Sequence, residues 1–189
     1  MLSKGSRPLQ KSKCYPLHHT LPCLTLPSLK FTNAFAFGAP KLIGHRVTIW
    51  MLTYADMVIV NGMAASTCIS SLLYSSNLGI HTSILFLNNP DREGKNLSVG
   101  RYVWEHNDQR PNTHTIPLNC DVCHSIRSWC PPAAVKREPG EAFTIPCLNV
   151  RPGGAKCTGK YHIAARPPST ALESPYIGIW YSYNLAEVK

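Results

Sequence analysis

Five of the eight cysteines fall within 38 residues: Cys120, Cys123, Cys130, Cys147 and Cys157, spaced C-x2-C-x6-C-x16-C-x9-C. A C-x2-C turn at the end of a strand lets two thiolates converge on one ion. A metal that prefers soft sulfur and a tetrahedron, zinc first among them, then takes two more ligands from a second turn. Cys147 ends the apolar run AFTIPC and Cys157 follows the turn RPGG, so these two are placed to close the set. Cys120, Cys123, Cys147 and Cys157 are therefore the expected metal ligands. Cys130 and His162 are the reserve, and His124 is a lesser one.

The arrangement over residues 120–157 resembles a zinc ribbon, in which two knuckles at hairpin ends clamp one zinc. That resemblance implies a single structural zinc per chain. It departs from the family where both knuckles would read C-x2-C with a Gly close behind: here the second pair is nine residues apart and His124 holds the Gly position. The run CHSIRSW with a downstream cysteine pair is also similar to a type of uncharacterised fungal protein, a similarity that implies no function.

Other uses of these thiols stand beside the metal. Buried cysteine is often an inert core residue, the natural reading for the scattered Cys14, Cys23 and Cys68. Disulfides would need an oxidising compartment, and five is an odd number for a closed set. Cys120-Asp-Val-Cys123-His124 also matches the C-x2-C-H haem attachment pattern literally, with His124 as proximal ligand and His162 or His114 as distal. A thiol–disulfide oxidoreductase needs its low-pKa cysteine at the start of a helix, and HSIRSW gives at most two turns before Pro131 and Pro132. Neither a G-x-S-x-G elbow, an H-E-x-x-H pair nor a Gly-rich phosphate loop occurs in the sequence. The reading is of a protein that is not an enzyme.

Charge suggests two partners. Arg127, Lys136, Arg137, Arg151, Lys156 and Lys160 surround the cysteines, with Trp129 and Tyr161 available for base stacking, a pattern that fits nucleic acid. Dispersed bases also simply offset the −2 of a zinc tetrathiolate. The second partner is a membrane, reached through the borderline apolar stretch 57–75 in a membrane-associated or exported protein with disulfides in place of zinc. The intracellular zinc protein is the favoured alternative.

The elements that must position these residues are short. The chain of 189 residues is 44% hydrophobic and 15% charged, with 16 Pro and 12 Gly, which excludes a long coiled coil or a charged disordered tail. Its net charge of +9 is uneven: residues 1–90 hold one acid, Asp56, and seven bases. Residues 1–46 carry five prolines and read as a disordered or leader segment. Residues 47–82 read as an apolar segment, a buried strand (47–54 or 57–60) and then a short helix (63–74). Residues 83–189 read as a small, mostly antiparallel β domain. In it 83–87 and 96–104 form a hairpin across NNPDREGK, and 113–118, 142–150, 160–166 and 175–185 supply further strands. Loops are expected at 106–112, 131–141 and 167–175. The fold class expected is mostly β with a zinc-ribbon-like element.

Overall fold

A computed structural model of the chain describes residues 31–39, 43–75, 77–92, 96–172 and 178–185. Among them are seven strands and two α-helices, a mostly β protein as expected. A five-stranded antiparallel sheet runs in the order β1-β2-β3-β7-β6, from β1 (Asn33–Phe37), β2 (Ile84–Asn88), β3 (Ser98–Glu105), β6 (Thr170–Leu172) and β7 (Ile179–Leu185). A separate two-stranded sheet pairs β4 (Phe143–Pro146) with β5 (Lys160–Ile163).

The hairpin expected across NNPDREGK is present, with Ile84 opposite Tyr102 and Asn88 opposite Ser98. Period-2 alternation places Tyr102 and Trp104 on one face of β3 and Val103 on the other. In β7, buried Trp180 and Tyr181 likewise point to opposite faces, so the middle of the sheet is covered on both sides.

Helices α1 (Gly44–Tyr54) and α2 (Ala65–Tyr74) cover one face. α2 buries Ala65, Cys68, Ile69, Leu72 and Leu73, the i, i+3, i+4, i+7, i+8 stripe of a one-sided helix. They meet Ile84, Phe86, Trp104 and Trp180 in the main core. Trp50 of α1 is fully buried there, its ring edge-on to Phe35 at 4.6 Å and Phe37 at 5.6 Å.

The strand expected over 47–54 is thus a helix. Val47, Trp50 and Tyr54 recur at helical spacing and all pack on this core, a one-sided burial that a strand's alternation would have split between two faces. Inside the helix Thr48 and Thr53 donate their hydroxyls back to the Gly44 and Ile49 carbonyls, four residues earlier. The candidate strand 57–60 is also helical: a wider π-turn over Ala55–Val60 follows α1, and Asn61 closes it by donating its amide N–H and side chain to the Asp56 carbonyl.

Three more expectations are corrected. Residues 113–118 form a 3-10 turn and irregular chain, because Asn112 and Thr113 take positive φ and Pro117 removes a donor. Part of the expected loop 167–175 is strand β6, three residues long and an edge. The boundary expected at 82/83 falls inside the sheet, since β1 pairs with β2 from Asn33↔Asn88 to Phe37↔Ile84. β1 also lies within the segment read as leader; most of that segment, Cys14 and Cys23 included, is outside the described residues.

Arg166 joins the two sheets. Its guanidinium meets the Glu105 carboxylate at 2.9 Å and lies 4.0 Å over the Tyr181 ring. The Asn112 side-chain NH2, fully buried, donates to the Glu141 and Ala164 carbonyls, which lead into β4 and out of β5 at the same end of that antiparallel pair.

Candidate metal centre

The first turn is built by backbone geometry. Asn119 and Ile126 face each other across a bridge, the Cys120 amide donates to the Ser125 carbonyl at 3.1 Å, and the His124 amide donates to the Cys120 carbonyl at 2.8 Å. This curls Cys120 and Cys123 to one side. His124 has φ +57, the left-handed region that glycine usually fills. A histidine therefore holds the glycine position in the glycine conformation.

The second pair is brought together by a hairpin. The Cys147 amide donates to the Gly159 carbonyl and the Cys157 amide to the Asn149 carbonyl, both at 2.8 Å. Between them Arg151 and Ala155 close a tight turn at Gly153 (φ +94) and Gly154 (φ +83). The nine intervening residues are the hairpin itself, so a wide sequence spacing becomes a short spatial one.

The result is four sulfurs within 4.8 Å of one another: Cys120, Cys123, Cys147 and Cys157. Cys120 Sγ lies 3.8 Å from Cys157 Sγ, and Cys123 Sγ 3.6 Å from Cys147 Sγ. Cys120, Cys147 and Cys157 are buried and Cys123 is half-buried. Such a group could hold one metal ion. The Ser125 hydroxyl and amide bond to Cys123 and bring its pKa down to about 6, so one thiolate is ready at neutral pH. Burial pushes Cys147 up to about 11, so that sulfur is protonated at neutral pH and a metal ion must displace its proton to bind.

None of the reserve ligands joins the group. Cys130 sits beyond the cross-strand pair Trp129↔Cys147 and directs its thiol to the Pro131 carbonyl. His162 is exposed on β5, its Nδ1 3.3 Å from the Thr144 hydroxyl, and His124 is exposed at the turn. For haem attachment both thiols of the C-x2-C must meet the porphyrin edge, and Cys120 is buried against Cys157 and the Gly159 backbone.

Of the basic candidates, Arg127, Lys136, Arg151, Lys156 and Lys160 are exposed. Arg137 is committed elsewhere: it donates to the Pro132 carbonyl and lies 3.8 Å over the Phe143 ring. Trp129 donates Nε1–H to the Pro117 carbonyl at 2.8 Å, with its ring 5.9 Å from that of Tyr161. Both rings pack on Phe143, Ile145 and Ile163, so they are wall before they are platform. Cys68 is a core thiol of α2 that bonds to the Ala64 carbonyl.

Sequence reading missed Gly159. Its backbone touches the Cys120 sulfur, and its amide donates to Cys157 Sγ at 3.3 Å. The only signal was a Gly two residues behind the last cysteine. No protein-family model, curated protein or solved structure matches the chain.

Proposed function

We propose that this is a structural zinc protein, in which one ion bound by Cys120, Cys123, Cys147 and Cys157 staples the β4–β5 unit into an interaction module. The approach of the four sulfurs carries the reading. A tetrahedron with metal–sulfur bonds of about 2.3 Å has sulfur–sulfur edges of about 3.8 Å, close to the 3.6 and 3.8 Å contacts. Disulfide sulfurs would stand at about 2.05 Å. Soft thiolates in a tetrahedron select zinc over magnesium or calcium, and four protein ligands leave no open position for a substrate.

Packing explains the need for a staple. Apart from the cysteines, the β4–β5 unit buries only Phe143, Ile145 and Ile163, each contributing roughly 1.5–3 kcal/mol. So small a core gains decisively from a metal that binds the folded form alone. The two hairpin-borne knuckles support the resemblance to a zinc ribbon. The exposed Arg127, Lys136, Arg151, Lys156 and Lys160 support an anionic partner, with nucleic acid as the first to try.

The test is elemental mass spectrometry on the full chain purified without added metal. About one zinc per chain, lost in Cys120→Ser together with the fold of the β4–β5 unit, supports the proposal. Absence of metal with paired thiols on non-reducing titration overturns it and favours the exported, disulfide-bonded reading. Retention on a nucleic-acid column that falls steeply with salt would support the partner; salt-independent passage removes nucleic acid from the proposal.

A further inference from the structure

The hairpin of the metal-bearing unit keeps one register from end to end. β4 and β5 pair from Phe143↔Ile163 to Pro146↔Lys160. The same pairing runs on through the Cys147 amide on the Gly159 carbonyl, the Cys157 amide on the Asn149 carbonyl and the Val150↔Lys156 bridge. Alternation therefore divides the whole hairpin into two faces. Inward lie Phe143, Ile145, Cys147, Cys157 and Ile163, all buried, so the small core and the hairpin's two sulfurs share one face.

On the outward face every position is exposed. One strand carries an apolar row of Pro146, Leu148 and Val150, with Leu148 57% and Val150 54% exposed. The facing strand carries a polar row of Lys156, Thr158, Lys160 and His162, and exposed Arg151 follows at the turn. Neither row contains an acid. Asp121, exposed in the first knuckle, lies within electrostatic reach of Tyr161 on the inward face instead. A single exposed aliphatic side chain is ordinary, but an aliphatic row beside a cationic row marks a binding face.

The two rows run side by side about 5 Å apart, the spacing of paired strands. Their cations suit any polyanion. The aliphatic row, however, gives a phosphate backbone nothing to meet, and neither row holds a Phe, Tyr or Trp on which a base could stack. A second copy would bring like charges together. An amphipathic helix fits both rows, because it presents an apolar row and a neighbouring acidic row along one side, whereas a strand shows one row per face. We propose that the outward face of the β4–β5 hairpin receives an acidic, amphipathic helical segment of a partner protein, its aliphatic side chains on Pro146, Leu148 and Val150 and its carboxylates on Lys156 and Lys160. This rests on the reading of the unit as an interaction module and names the chemistry of its partner.

Fluorescence anisotropy of the full chain tests it, with a labelled synthetic peptide of Leu, Glu and Ala whose Leu and Glu form adjacent rows at helical spacing. An isomer of the same composition in scrambled order and a labelled single-stranded DNA are the other two probes. Wild type is expected to bind the ordered peptide about tenfold or more tightly than the scrambled one. Leu148→Ser/Val150→Ser should lose about tenfold or more in affinity for it, and Lys156→Glu/Lys160→Glu a similar factor. All four positions are exposed, so both variants should keep the wild-type zinc content, read by elemental mass spectrometry on the same preparations. A charge-reversed variant that loses its zinc overturns the proposal, since the lysines then serve the tetrathiolate. So do equal binding of the two peptides, tighter binding of the DNA, and a wild-type dimer that Leu148→Ser/Val150→Ser converts to monomer, because the face then belongs to a second copy. A metal-free wild type that still binds the ordered peptide removes the zinc and keeps the face; a zinc-loaded wild type that binds neither peptide removes the face alone.

Discussion

Gly159 lies so close to Cys120 that a Cβ at position 159 would collide with the Cys120 sulfur and press on the Cys157 sulfur at 3.3 Å. The same residue accepts the Cys147 amide at 2.8 Å, so it touches three of the four ligands. Gly159→Ala is therefore expected to reduce metal stoichiometry and lower the melting temperature, though no ligand is removed. Gly153→Ala is the control. Its Cβ would meet nothing, and it should cost only about 1 kcal/mol for its left-handed backbone while leaving the metal in place. Equal zinc content in the Gly159→Ala variant and wild type would refute the close-packing account.

The four thiols should differ in reactivity in metal-free wild type held under conditions where circular dichroism shows the β fold retained. Ser125 holds Cys123 down to about 6, while burial holds Cys147 up to about 11. Only the thiolate attacks an alkylating reagent. At neutral pH, iodoacetamide should label Cys123 first and Cys147 last, read by peptide mass spectrometry. Ser125→Ala removes the hydroxyl that stabilises the thiolate, so the midpoint of Cys123 labelling against pH should move upward. An unmoved midpoint would show that Ser125 is not the cause.

The sequence made some of this legible and hid the rest for physical reasons. Strands β2, β3 and β7 were readable because one-residue alternation survives even where both faces are buried, as at Trp180 and Tyr181. The C-x2-C was readable because its geometry is local. The Cys147–Cys157 pair was readable only because Pro-Gly-Gly advertised the hairpin between them. Helix α1 was not, since an apolar run that is exposed on one side and buried on the other gives no amphipathic contrast, and VTIWMLTY favours a strand by propensity alone. β1 was hidden because its pairing partner, β2, lies some 50 residues further on, and no local signal reports a contact of that range. The stacking role considered for Trp129 and Tyr161 was undercut by contacts from Pro117 and Thr115, again long-range.

Asn112 should be the most sensitive polar position outside the metal centre. It holds φ +50, a conformation asparagine tolerates, and donates both side-chain hydrogens to carbonyls, Glu141 at 2.6 Å and Ala164 at 3.0 Å. Asn112→Ala would strand two carbonyl oxygens and open a small cavity, a cost of about 2–4 kcal/mol. Asn112→Asp should be worse, because a carboxylate would then face those same carbonyls with no hydrogen to donate. Denaturant midpoints for the three proteins should fall in the order wild type, Ala, Asp. An Asp variant as stable as wild type would mean that the two bonds do not fasten the β4–β5 unit.

Acid should loosen the fold through His114. Burial first, and then the charges of Arg110 and His162, push its pKa below the ordinary 6.5. Arg110 is pinned in place, its guanidinium donating to the Gly79 carbonyl at 2.8 Å. In the unfolded chain His114 takes up a proton near 6.5, whereas in the folded protein it stays neutral to lower pH. Just below 6.5 the unfolded state therefore binds more protons, and stability must fall as pH drops from 6.5 toward the folded value. His114→Gln removes that proton sink. Urea midpoints measured at about pH 7.5 and about pH 5.5 should then fall further for wild type than for His114→Gln. Comparing the variants subtracts the acid sensitivity of the metal centre, which both share. Equal losses would place the proton uptake elsewhere in the chain.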